Sequence, residues 1–351
     1  MNNLLLETYS DFLIFNQGQA ASTTFSEATN KTISHDKFTR FLNKEEYSSE
    51  DFWKKASPLI NNTKEGILSI DDFIVEKPHS KVSDINCYHY SHLQGRCLKG
   101  MEVINMVYSG GDLNIPVNYQ VISKPVEYCD LKTKKVRKKS LKTKNERARE
   151  LIKWSVDKCL NVSHITADSW FCCGETLEFI HQKNKKYVFA IKSNRKVFLT
   201  LKDREKKIGC SLKLAELEDN TPTPFFINNV NHKVYIMKKT FKNGDGKLGV
   251  LFLVTNDKEL SNVDLYSIYQ KRWGIEVFHK SVKNNTSLAK SPVSSQKAQR
   301  NHIFCSYFAY LKLERTKEKE GKNQFRMKRD IQILMLKSCR EHYENSFHLA
   351  A

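Results

Sequence analysis

The sequence predicts an α/β protein built on a mixed sheet. Three observations carry that expectation. Apolar, β-branched runs alternate with helical stretches between residues 66 and 191. A β-rich segment fills 196–256, and helical patterns fill the chain from there to about residue 345. The order strand, hairpin, helix, strand, helix, strand, then helix after an insertion belongs to an α/β architecture.

Residues 1–62 read as short helices. The stretch 4–15 has an apolar face, Ser34 is placed to cap a helix reaching Leu42, and Ser48 or Ser49 another ending near Pro58. Such helices suit a helix-turn-helix type of DNA-binding unit or a plain helical extension. From Gly66 the period changes. GILSIDDFIV reads as a buried strand running into acidic residues, with Asp71-Asp72 at the end of its apolar part. The runs 101–108 and 115–122 flank Gly110-Gly111, which predicts a hairpin. A helix is expected over 144–160, a short strand over 163–170, a helix over 173–183 and a strand over 186–191. Strands near 233–240 and 248–255 are joined by Lys242-Asn243-Gly244-Asp245-Gly246, whose Asn-Gly and Asp-Gly steps favour a hairpin. One long helix is expected from about 264 to 283, and more helix over 296–318 and 325–345.

Lys and Arg number 58 against 39 Asp and Glu, a formal net charge of +19. That excess favours a polyanionic partner, nucleic acid ahead of an anionic membrane surface. The charge is concentrated: 131–158 holds 12 Lys or Arg and 3 Asp or Glu. This run is expected to be either a solvated loop leading into a helix or a segment that contacts phosphates. No apolar run approaches the roughly 18 residues of a membrane span. The N-terminus lacks a basic region followed by a small-residue cleavage site, so no signal peptide is expected. Nine Cys with no framework spacing fit a reducing, cytoplasmic compartment.

Three places could carry chemistry. Asp71-Asp72 and Asp168 stand at the expected ends of two strands, on the rim where α/β active sites gather. An Asp in a turn is also common for purely structural reasons. The third place is the helix DLYSIYQKRWGIEVFHKSVK. At about 100° per residue, Tyr269, Arg272, Glu276 and Lys283 fall within one stripe roughly 60° wide. Ile268, Ile275 and Val282 lie beside it as a core edge, and Trp273 is expected at that edge in preference to stacking on a displaced base. A solvated face with helical ion pairs has the same pattern. Carboxylates from two strands and a helix are the ligand type for Mg²⁺, and two such ions suit in-line phosphoryl displacement. Cys87, His89, His92 and Cys97 are zinc-type residues, but their spacing matches no zinc pattern. There is no P-loop, HExxH or GxSxG.

The spacing Tyr269-x2-Arg272-x3-Glu276-x6-Lys283 resembles the Tyr-Arg-Glu-Lys signature of DDE transposases of insertion-sequence family four. ITADSWF around Asp168 resembles that family's second-aspartate strand, SIDDFIVEKPHSK its first-aspartate segment, and FAIKSNR the strand after the second aspartate. SHDKFTRFL resembles its N-terminal region more weakly. The resemblance covers roughly 64–315. It implies an RNase H-like mixed-sheet catalytic core over 63–195 and 257–318, a β-rich insertion over 196–256, flanking helices over 319–351, and a DNA-binding helical region over 1–62.

The resemblance also implies that Asp72, Asp168 and Glu276 hold two Mg²⁺ ions, with Mn²⁺ able to substitute. Asp72 is preferred over Asp71 because it aligns best, although Phe73 stands where relatives often have a small hydroxyl residue. Tyr269, Arg272 and Lys283 would contact DNA phosphates near the cut end. The implied activity is cleavage of double-stranded DNA at the inverted ends of an element, then attack of the exposed 3′-OH on target DNA. A homodimer on DNA, in the cytoplasm of a bacterial cell and associated with its nucleoid, follows from the same resemblance. The first rival is a non-catalytic DNA-binding regulator or inhibitor derived from such an enzyme; the second is a basic RNA-binding or structural protein, for which the acidic triad and the signature would be coincidence.

Overall fold

The computed structural model describes residues 3–60, 65–91, 94–131, 133–244 and 246–347. His92 of the zinc-type segment, Lys132 of the basic run and Asp245 of the 242–246 turn lie outside them.

The elements begin with four helices, α1 (Asn3–Phe15), α2 (Ser22–Ala28), α3 (His35–Lys44) and α4 (Ser49–Ala56). Six strands follow: β1 (Gly66–Glu76), β2 (Cys87–Ser91), β3 (Arg96–Gly110), β4 (Leu113–Val121), β5 (Val126–Asp130) and β6 (Lys135–Lys139). Then come α5 (Lys144–Asp157), β7 (Val162–Ala167), α6 (Gly174–Gln182), β8 (Lys186–Ala190), β9 (Lys196–Phe198) and α7 (Leu201–Glu205). Four more strands are β10 (Cys210–Ser211), β11 (Thr223–Ile227), β12 (Val234–Lys242) and β13 (Leu248–Thr255). The chain closes with α8 (Asn262–Gln270), α9 (Trp273–Asn285), α10 (Gln296–Glu320) and α11 (Gln324–Phe347). It divides into two compact units. One comprises Met1–Leu59, Ile74–Glu102 and Val277–Ala351, the other Ile60–Phe73 and Val103–Glu276.

The first unit is organised around α10, which buries residues on every side from Ala298 to Leu311. Phe52 packs edge-on against Phe304 and Tyr307, and Tyr47 stacks on Phe304 at 4.2 Å. Tyr9 of α1 is fully buried and shares a hydrogen bond with His302 Nδ1 at 2.8 Å. Ser34 caps α3 by accepting from the Lys37 N–H, and Ser48 with Asp51 forms a capping box on α4, as the sequence leads one to expect. The segment with Cys87 and His89 is strand β2, antiparallel to the start of β3. His89 Nδ1 meets Glu102 Oε2 at 2.8 Å, both buried, and Cys97 is exposed.

The second unit holds a mixed sheet in the order β10-β9-β11-β12-β13-β8-β7-β1-β3, with β4 on β3. β7 runs parallel to β1 and to β8, and the β3–β4 and β8–β13–β12–β11 pairs are antiparallel. The strands between 196 and 255 extend this same sheet beyond β8 instead of forming one of their own. Helix α8 covers that part. Its Leu265 is buried among Val188, Ala190, Met237 and Leu253, with Tyr269 packed against the cluster. Burying such side chains contributes about 1.5–3 kcal/mol each, which fixes the helix that leads to the site.

Three expectations need correction. The strand GILSIDDFIV does not end at its acidic residues: β1 runs on to Glu76, because Phe73 and Val75 are buried and continue the alternation. The basic run is not simply a loop before a helix, since 135–139 is a strand paired with β5. The single helix over 264–283 is two. At 271–275 the N–H groups of Arg272, Gly274 and Ile275 bond three residues back, not four. Gly274 is the physical reason. It weakens the helix locally, and it lets the chain approach so close that a Cβ would lie 2.1 Å from Asn114 Oδ1 and 2.7 Å from Ser109 Oγ.

Candidate active site

All the residues of this site described next belong to the second unit. The parallel pairing of β1 with β7 matches Ser69 with Thr166 and Ile70 with Ala167. One further step places Asp71 beside Asp168. Side chains alternate along a strand, so Asp71 lies on the face of Ser69 and Asp168 on the face of Thr166. Those two hydroxyls touch at 2.9 Å, so both aspartates extend one shared row. Asp72 points to the other face, where Lys144 Nζ donates to its Oδ2 at 2.9 Å.

The third carboxylate comes from the split helix. Arg272 stands at the break and forms ion pairs with Glu276 and, at 3.8 Å, with Asp71 Oδ2. The Tyr269 ring centroid lies 5.4 Å from the Arg272 guanidinium carbon. Among the described residues nothing accepts from the buried Arg272 Nε. Burial is the largest cause that pushes the Asp71 carboxyl up to about 7, and the charge of Asp168 adds to it. The Asp72 N–H, which donates to Asp71 Oδ1 at 2.9 Å, and Arg272 act in the opposite direction. Burial likewise raises the Tyr269 hydroxyl.

The structure thus brings Asp71, Asp168, Tyr269, Arg272 and Glu276 into one interacting group. Asp72 is turned toward Lys144. Lys283 lies farther along α9, in the first unit. Trp273, expected at a core edge, is 64 % exposed, whereas Ile275 is buried. Among the described residues no group of three or more His, Cys, Asp or Glu side chains stands ready to hold a metal ion. The donors are nevertheless carboxylate oxygens, the type that hard divalent cations select. Arg272 supplies positive charge beside two of them.

Sequence reasoning missed Lys144. It is the first residue of α5, set there by a capping box in which Thr143 accepts from the Glu146 N–H at 3.2 Å and Glu146 accepts from the Thr143 N–H. The cap was legible, but the partner 72 residues earlier was not. Lys144 and Lys192 also stand 5.8 and 5.1 Å from the ring centroid of Trp170, whose backbone N–H donates to Asp168 Oδ1. No helix among the described residues is long and apolar enough to cross a membrane.

Residues 119–312 match the family model described as the transposase DDE domain. The match covers more than half of the chain. It includes Asp168, Tyr269, Arg272, Glu276 and Lys283, and begins after Asp71 and Asp72. No curated protein matches the chain.

Proposed function

Because the chain belongs to the transposase DDE domain family, we propose that it is a DNA transposase of the Tyr-Arg-Glu-Lys group of insertion-sequence family four. In this reading it has an RNase H-like core, cuts DNA at the ends of its element and transfers the 3′-OH end into target DNA. The observation that carries the proposal is the row formed by Asp71 and Asp168, linked through Arg272 to Glu276. Asp71 replaces Asp72 as the proposed first carboxylate, because Asp71 shares its face with Asp168.

Asp71, Asp168 and Glu276 would hold divalent metal, Mg²⁺ or Mn²⁺, whose chemistry when bound is to polarise the phosphoryl oxygens and lower the pKa of water. The residues themselves supply the rest. Arg272 holds Asp71 and Glu276 in place and keeps one buried donor, Nε, for a phosphate oxygen. Tyr269 sits against that guanidinium and orients it. Lys283 would grip a flanking phosphate. Lys144 fixes Asp72 and so holds the backbone whose N–H reaches Asp71. The helices of 1–62 would bind the element ends, and two copies would bring two ends together.

The test is nicking of a plasmid that carries candidate ends, with Mg²⁺ or Mn²⁺ against EDTA. Metal-dependent nicking that Asp168→Ala abolishes supports the reading. Tight DNA binding with no nicking under either metal sinks it, and leaves a DNA-binding regulator derived from such an enzyme.

A further inference from the structure

Strands β5 and β6 form a two-stranded sheet of their own, off the main sheet. None of the described residues over 126–141 is buried. A two-stranded ribbon with no core is marginal in water. This one is fastened at its base: Arg147 of α5 donates to Gln120 Oε1 ahead of the ribbon and to Ser140 Oγ after it, each at 3.1 Å. The ribbon is therefore held to the same helix that sets Lys144 on Asp72.

Its two faces differ in charge. Tyr128 pairs with Arg137, Asp130 with Lys135 and Val126 with Lys139. Residues directly opposite share a face, so one face carries Lys135, Arg137 and Lys139 with Val126 and Tyr128 against a single acid, Asp130, which pairs with Arg137 Nε at 2.9 Å. The other carries Lys138, matched by Glu127 at 3.5 Å. The three cations alternate along one strand, about 7 Å apart at roughly 3.4 Å per residue. A ribbon of this kind also fits the major groove of B-DNA, about 12 Å wide.

We propose that the face of this ribbon bearing Lys135, Arg137 and Lys139 lies on the phosphate backbone of duplex DNA bound at the carboxylate group. The inference rests on the DNA reading above and assigns a surface to it. The face keeps two cations beyond the Arg137–Asp130 pair for phosphates, none of its described residues is buried, and Arg147 ties it to the helix that begins at the site.

The experiment is fluorescence-anisotropy titration of a labelled duplex between about 50 and 200 mM salt. It compares the full-length protein with the triple variant Lys135→Thr, Arg137→Thr, Lys139→Thr, and with the charge-keeping Lys135→Arg, Arg137→Lys, Lys139→Arg. Three phosphate contacts contribute about 2.7 to the log–log salt slope. The triple variant should lose that slope, so that over the fourfold salt range its affinity falls about 40-fold less than that of the parent. The charge-keeping variant should retain the slope, and both should melt like the parent. If the parent binds duplex DNA and the triple variant keeps its slope, the ribbon assignment is overturned and the DNA reading stands. If the parent binds no duplex, the functional reading itself fails. Equal loss on an RNA duplex that is bound more tightly than DNA would overturn the choice of DNA.

Discussion

Lys144 Nζ donates to Asp72 Oδ2 at 2.9 Å, and this contact separates two adjacent aspartates into different tasks. Asp71 faces Asp168; Asp72 anchors the start of α5. Asp71→Asn should lower metal-dependent nicking by at least about 10²–10³-fold, the scale of losing one charge-stabilising group in a transition state. Asp72→Asn should cost about 10–100-fold, as outer partners do. Single-turnover nicking by both variants checks the order, and equal loss would erase the distinction.

The raised Asp71 carboxyl makes stability depend on pH. In the folded state it keeps its proton up to about 7, against 3.8 for the ordinary group. Between those values the folded state binds more protons than the unfolded one, so stability falls as pH rises through this window. The contribution is whole below about pH 4 and lost above about pH 7. In EDTA, the midpoint of urea unfolding should drop from pH 5 to pH 8 in the parent, and should drop less in Asp71→Asn.

Buried His302 works in the opposite sense. It lies between the Tyr9 hydroxyl and the Leu288 carbonyl, and burial lowers its pKa from 6.5 to about 3. The unfolded chain takes up a proton below 6.5 that the folded chain refuses, so this group costs stability progressively as pH falls from 6.5 toward 3. His302→Gln should flatten that part of the acid-unfolding curve, read by circular dichroism.

Gly274→Ala would set a methyl group 2.1 Å from Asn114 Oδ1. We expect a loss of about 1–3 kcal/mol from overpacking, with weaker nicking because Arg272 and Glu276 flank the position. Asn114→Gly, which removes the clashing side chain, should restore much of the melting temperature when combined with it. No rescue would show that the Asn114 contact is not the source of the loss and leave the Ser109 hydroxyl, 2.7 Å from the added methyl, as the obstacle.

Lys283→Ala should reduce the salt slope of DNA binding by about 1 and weaken affinity for all sequences alike. An unchanged slope would remove Lys283 from the set of phosphate contacts.

Local chemistry was legible in the sequence wherever it was decided within a few residues. The Ser34 and Ser48 caps, the Gly110-Gly111 hairpin and the Tyr269–Arg272–Glu276 spacing all lie in that range. What failed needed distant partners. Asp71 and Asp72 are alike in composition, and only the pairing with β7, more than 90 residues on, tells which one meets Asp168. The strand in the basic run has a single apolar residue, Val136, so its alternation was invisible. The helix break at 271–275 had one local signal, Gly274, but the close approach to Ser109 and Asn114 that this glycine permits is announced by no local pattern.

The central place of β1 also bears on synthesis of the chain. Its neighbour β3 emerges soon after it, but β7 follows only after about 90 more residues, several seconds at roughly 5–20 residues per second. For that interval the edge of an apolar strand is open to pairing with other chains. Charges within an open strand discourage such pairing. Asp71 and Asp72, set in the middle of β1, place two such charges on this strand while its β7 edge is still open.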